Sequence, residues 1–266
     1  MDILSRESEF MPSSPGGLMP AAPLKIENLN GNSPISDAPN NDFYAAFEDA
    51  VKIMEPGSFS PEVELFLADE KICLTKLFHV EQYDCIIEVG CHSGRNAGWL
   101  SSLCHRYIGI DINESAIRSA KNAHASNARI EFVCGPVEHV ISSILDENLC
   151  KRRIVVLFPF NLFGNFVNVD ELISSFSLTG ADLAMSNFNT RSATTLGRYN
   201  YYSNCFPRSQ IRVYDAEQGV LFKAGNHFRS IAYDANYLRK LIRDRSNYHG
   251  VVMPFSTHGD LFLLTC

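Results

Sequence analysis

Residues 86–100 read IIEVGCHSGRNAGWL and residues 107–113 read YIGIDIN, and these two stretches decide the fold. Ile86–Val89 is an apolar run with Glu88 one residue before its end and Gly90 opening a tight turn. A helix start follows, and then a second apolar run ending in Asp111. A buried strand, a glycine turn, a helix and a second strand ending in an acid are the parts of a nucleoside pocket at the carboxyl ends of a parallel sheet. The interval lets one carboxylate reach a ribose while the turn approaches the rest of the ligand.

Working outward, candidate strands fall at Cys85–Val89, Tyr107–Ile110, Ile130–Cys134, Ile154–Phe158 and Asp182–Phe188. Helical patterns fill the gaps at Asn96–Cys104, Glu114–Ala125, Val137–Leu145 and Asp170–Phe176. This alternation predicts an α/β protein with a parallel sheet and right-handed crossovers. Upstream, FYAAFEDAVKIM after Asp42 reads as one amphipathic helix, and Pro61–His79 as a second with Pro61 in its first turn. Residues 1–41, rich in Pro, Ser, Asn and Gly, read as a flexible arm. Residues 42–266 form the expected domain, with 42–80 as a helical lid. After Asn189 the pattern changes, and residues 190–233 read as a β-rich meander with AEQG as a hairpin turn. Asp234 caps a helix to about Arg245, and VVMPFS and DLFLLTC close the chain as an antiparallel pair.

Net charge is −7 over 266 residues, which disfavours general nucleic-acid affinity. The segment Arg191–Arg245 departs from that average, with ten Lys/Arg against four Asp/Glu. Eight cysteines show no CxxC pair and sit mostly in apolar runs, as buried free thiols of a reducing compartment do. No apolar run approaches the roughly 18 residues of a membrane span, and the start lacks the pattern of a signal peptide. The expectation is a soluble cytoplasmic protein with no metal.

The element order resembles the class I S-adenosylmethionine (SAM)-dependent methyltransferases: a Rossmann-like seven-stranded sheet with an antiparallel terminal strand, here with a β-rich insertion after strand five. In that family the first strand ends E/D-x-G-x-G-x-G, and Glu88-Val89-Gly90-Cys91-His92-Ser93-Gly94 fits except that His92 replaces the central glycine. The dinucleotide fingerprint would need glycines at 90, 92 and 95 and meets His92 and Arg95. The resemblance implies SAM as cofactor, held by Glu88, Gly90, Cys91, His92, Gly94, Asp111, Ile112, Pro136, Val137, Phe158 and Phe160. Asp111 is expected on both ribose hydroxyls, Gly90 close to the methionine moiety, and Gly94 at the start of the next helix. Pro136 stands where the family often has an acid near the adenine amino group.

The resemblance also places the acceptor against the segment after strand four and within 190–233. Asn161, Tyr199 and His227 are the catalytic candidates, with Tyr201, Tyr202, Asp215 and His258 as further base or orienting groups. The expected activity is methyl transfer to an O or N atom of a small-molecule acceptor, a secondary metabolite among the candidates. The alternatives are an RNA or protein acceptor, which the basic segment permits, and a SAM-binding scaffold or regulator without turnover.

Overall fold

The computed structural model describes residues 24–28, 43–44, 52–148, 152–225 and 227–266. Asp42, most of the helix read after it, and most of the arm lie outside these residues. Within the arm, Ile26–Asn28 forms a short strand, β1. Helix α1, Pro61–Glu81, starts where Ser60 Oγ accepts from the Val63 amide and Pro61 presets the first turn. It ends at Gln82, which takes the left-handed conformation. Val63, Phe66, Glu70, Leu74 and Phe78 are its buried positions, three or four residues apart.

The α/β core follows: β2 Cys85–Val89, α2 Ala97–Leu100, β3 Arg106–Asp111, α3 Glu114–Ala123, β4 Ile130–Cys134, α4 Val137–Asn148, β5 Ile154–Phe158, α5 Val169–Ser177 and β6 Asp182–Phe188. Every residue of β2, β5 and β6 is buried, as a sheet covered on both faces requires. Helix α2 is shorter than the pattern predicts. Ser101 Oγ bonds to the Gly98 carbonyl at 3.1 Å and Ser102 Oγ to that of Trp99 at 2.6 Å, so side chains compete with the helical ladder.

Next comes a correction. Residues 192–205, read as part of a meander, form helix α6, Ser192–Cys205. Its buried positions include Thr194, Thr195, Arg198, Tyr201, Tyr202 and Cys205, a helical stripe carried by polar and aromatic residues that an apolar count does not register. The meander is confined to β7 Arg212–Ala216, β8 Gly219–Ala224 and β9 Phe228–Tyr233. Helix α7, Ala235–Arg245, is capped by Asp234, and β10 His249–Pro254 and β11 Gly259–Thr265 end the chain.

Two sheets result. The larger runs β10-β11-β6-β5-β2-β3-β4, parallel except that β11 is antiparallel to both neighbours. The smaller runs β1-β7-β8-β9. It docks through β9 on the turn that follows β5. There a Cβ on Gly164 would lie 1.9 Å from the Ile231 carbonyl oxygen, so only glycine permits the approach. Helix α6 also crosses α1 closely, since a Cβ on Gly197 would lie 2.6 Å from that of Glu62.

Candidate active site

The carboxyl ends of β2, β3 and β6 and the loops after β4 and β5 surround one cavity, which α6, β9 and Tyr44, Ile53 and Met54 close from outside the sheet. In the sheet order, β4, β3 and β2 lie to one side and β5 and β6 to the other. The cavity therefore has a glycine-loop part and an aromatic part.

In the first part the polar groups are arranged locally. Asp111 Oδ2 accepts from the His92 amide and Oδ1 from that of Asn113, both at 2.8 Å. A carboxylate offers about four lone-pair sites, so accepting capacity remains on a side chain that borders the cavity. Burial pushes the Asp111 carboxyl up, and the Asn113 and His92 amides pull it back. His92 sits at φ 49°, the left-handed conformation that suits glycine, held there by Asp111. Glu88 is buried behind the loop, where Asn96 Nδ2 donates to Oε1 at 2.7 Å and the Tyr107 hydroxyl donates to Oε2. Burial raises the Glu88 carboxyl despite both bonds.

The turn after β5 places two consecutive side-chain-bearing residues, Phe160 (φ 50°) and Asn161 (φ 56°), in the left-handed region. Such backbone persists only where its surroundings over-determine it. Here Glu70, from α1, accepts the Phe160 amide at 2.7 Å, and the Ser186 carbonyl accepts the Asn161 amide at 2.9 Å. Burial pushes the Glu70 carboxyl up to about 7, against the lowering bond from Phe160. The Asn161 side chain donates to Ser230 Oγ at 3.2 Å and the Ile231 carbonyl at 2.9 Å, and accepts from the Phe188 amide at 3.0 Å. It ties β5, β6 and β9 together and has no N–H left for a substrate. The catalytic expectation for Asn161 thus meets a side chain spent on the fold.

The ring of Phe160 packs against those of Phe59, Phe66, Phe188 and Tyr201. Tyr201 and Tyr202 reach the cavity from α6, and the Tyr201 hydroxyl donates to the Ile53 carbonyl. Behind them Arg198, 1 % exposed, donates to the carbonyls of Val220 (3.1 Å) and Ser230 (2.9 Å).

Of the residues expected at the site, Glu88, Gly90, Cys91, His92, Asp111, Ile112, Pro136, Val137, Phe160 and Asn161 line the cavity. Gly94, Phe158, Tyr199 and His227 do not. A Cβ on Gly94 would strike Phe132 at 2.9 Å, and Gly94 sits in the middle of the turn 92–96 that leads into α2 rather than starting a helix. Phe158 is a core residue against Phe163, Phe166 and Phe176. Tyr199 lies on the half-buried flank of α6, and His227 is exposed in the turn before β9. Nor does Gly90 leave open space, because a Cβ there would meet Leu162 at 2.7 Å. His258 packs on Thr194, with Oγ1 and Nδ1 3.2 Å apart. Asn113, Asn165, Phe228 and Ser230 border the cavity without having been singled out. Nothing in their local sequence marks them. Among the described residues, no group of three or more His, Cys, Asp or Glu is placed to hold a metal, and no helix is long and apolar enough to cross a membrane.

A seven-stranded sheet of this order with its cavity at the strand ends is the class I SAM-dependent methyltransferase fold, and SAM is the cofactor of that class. A family model described as a methyltransferase domain matches residues 86–151. Magnesium protoporphyrin IX methyltransferase from Synechocystis PCC 6803, solved with S-adenosylhomocysteine bound, superposes with a TM-score of 0.55 at 13% identity, over 85% of this chain and 97% of that one. A protein from Pyrococcus horikoshii OT3 superposes with a TM-score of 0.54 at 13% identity, over 82% of this chain and 99% of its own. In sequence, a provisionally named RNA methyltransferase of Acanthamoeba polyphaga mimivirus is 33% identical over 71 residues, 26% of this chain. The match spans 18% of that relative's length.

Proposed function

We propose that this protein binds SAM in the cavity and methylates a small-molecule acceptor seated among the aromatic side chains. The carrying observation is the continuity of the two parts: Asp111, Ile112 and Pro136 share one cavity with Phe160, Phe188 and Tyr201. The residues fit the cofactor. Asp111 keeps lone pairs for ribose hydroxyls after serving two amides, and Ile112, Pro136 and Val137 provide apolar walls for a base. Bound SAM supplies an electrophilic methyl group on a sulfonium. The protein contributes placement of the acceptor and exclusion of water. Phe160, Phe188 and Tyr201 wall the reacting region, and Glu70 holds the turn that presents Phe160.

An RNA acceptor draws less support. Of the ten basic residues in 191–245, Arg198 and Arg229 are buried and donate to backbone carbonyls, so they add nothing to a phosphate-binding face. Calorimetric titration with S-adenosylhomocysteine, SAM and NAD in parallel tests the cofactor. Micromolar binding of both sulfur nucleosides without NAD is expected, and binding of NAD alone or of none overturns the reading. Incubating a cell extract with methyl-labelled SAM then tests the acceptor. Label is expected in the small-molecule filtrate, and label confined to RNA or protein overturns that part.

A further inference from the structure

Ser230 borders the cavity from β9 and is 3 % exposed. Its Oγ accepts from Asn161 Nδ2 at 3.2 Å and from Arg198 Nη2 at 3.3 Å. Amide and guanidinium nitrogens donate and do not accept, so both lone pairs of the hydroxyl are engaged and its proton must go elsewhere. The hydroxyl donates no hydrogen bond to any of the described residues. A buried hydroxyl in this state is a hydrogen-bond donor addressed to whatever fills the cavity.

Arg198 adds a charge behind that donor. Its guanidinium lies over Phe222 at 4.5 Å, Phe188 at 5.4 Å and Tyr202 at 5.8 Å, and its Nε makes no hydrogen bond within the described residues. Among the described residues no carboxylate pairs with it. Ring faces and carbonyls offset part of the cost of burying a cation, and an anion nearby would offset the rest. A third observation narrows the anion. Among the described residues, the aromatic part of the cavity, lined by Phe160, Phe188, Tyr201, Tyr202 and Phe228, contains no His, Lys or carboxylate to take a proton from an acceptor. An acceptor that reacts there arrives already deprotonated, as a carboxylic acid does at neutral pH.

We propose that Ser230 donates to one oxygen of an acceptor carboxylate, leaving the other oxygen free. The substrates are thereby planar or apolar organic acids. Arg198 acts through Ser230 as a positioning residue and supplies the positive potential. This rests on the methyltransferase reading above and specifies its acceptor.

The test uses the full chain saturated with S-adenosylhomocysteine and two matched probe pairs, benzoate with benzamide and indole-3-acetate with indole-3-acetamide, titrated by ligand-observed NMR. Each acid is expected to bind about tenfold or more tightly than its amide, the range of a hydrogen bond to a charged group. Ser230→Ala should remove that margin and leave S-adenosylhomocysteine affinity unchanged, and Ser230→Thr should restore it. Amides binding as tightly as acids, no binding by either class, or an unaltered margin in Ser230→Ala overturns the proposal. Failure to bind S-adenosylhomocysteine overturns the cofactor reading instead, so the two failures are distinct.

Discussion

The glycine-loop part of the cavity and the aromatic part satisfy their polar groups over different distances along the chain. In the first, Glu88 is held by Asn96 and Tyr107, and Asp111 by His92 and Asn113, with no bonded pair more than 19 residues apart. In the second, Asn161 reaches Ser230 and Ile231, Arg198 reaches Val220 and Ser230, and Ser60 Oγ reaches the Gly197 carbonyl at 3.1 Å across 137 residues. The local arrangement forms with one strand-turn-helix-strand unit. The distant one exists only once α1, α6 and the second sheet have docked. A change in the first part should therefore alter ligand affinity and spare the fold, whereas a change in the second should cost stability.

Asn161→Ala gives the sharpest contrast. It removes three tertiary hydrogen bonds, leaves the Phe188 amide and the Ile231 carbonyl buried without that partner, and places alanine at φ 56°. A loss of about 3 kcal/mol or more is expected from the unsatisfied groups, read from the urea midpoint. A fully stable variant would break the comparison. Asp111→Ala comes next: S-adenosylhomocysteine affinity should fall more than tenfold, a charge-assisted contact to two hydroxyls being lost, with far less effect on the urea midpoint. Unchanged affinity in the folded variant would remove Asp111 from the cofactor contacts.

Glu70→Gln sharpens the contrast through pH. Glu70 titrates at about 7 in the fold against 4.5 for the ordinary group. Between those values the folded protein binds a proton that the unfolded chain releases, so this contribution is fully present below about 4.5 and is lost as pH rises through 7. The glutamine keeps an oxygen for the Phe160 amide and carries no charge to bury. Its melting temperature should exceed that of the native protein by several degrees at a pH well above 7, and the gap should close toward pH 5 in thermal scans. A gap that persists at low pH would remove Glu70 ionisation as its source. Tyr199→Phe is the smallest expected effect. Because Tyr199 lies outside the cavity lining, melting temperature, S-adenosylhomocysteine affinity and turnover should all stay within error, and a clear loss of turnover would return it to the site.

Legibility followed the same division. The placement of the glycine-loop residues at the cavity was readable because it depends on short spacings and on strand ends that the apolar runs mark. Within that stretch, local pattern missed that Gly94 packs on Phe132 and His124, because the side chains beneath the turn come from β4 and the end of α3. In the aromatic part the reading failed where a helix stripe was built from Thr, Arg and Tyr, so α6 was read as part of the meander. Tyr201 and Tyr202 were recognised as candidates beside Tyr199, but which of the three faces the cavity depends on helical phase, and phase is lost when the element type is wrong. Ser230 carried no signal, since a serine in the run FRSIAY is ordinary.

The sequence by itself determined the alternation of strands and helices, the order of the parallel core, the antiparallel close and the acid-glycine loop, because each rests on periodicity or on contacts among near neighbours. Tertiary structure alone decided that Arg198 is buried with no counter-charge among the described residues, that Asn161 is a clamp, and that Ser230 presents a donor to the cavity. Those properties depend on what surrounds a side chain once distant segments pack, and burial and hydrogen-bond saturation have no period along a chain.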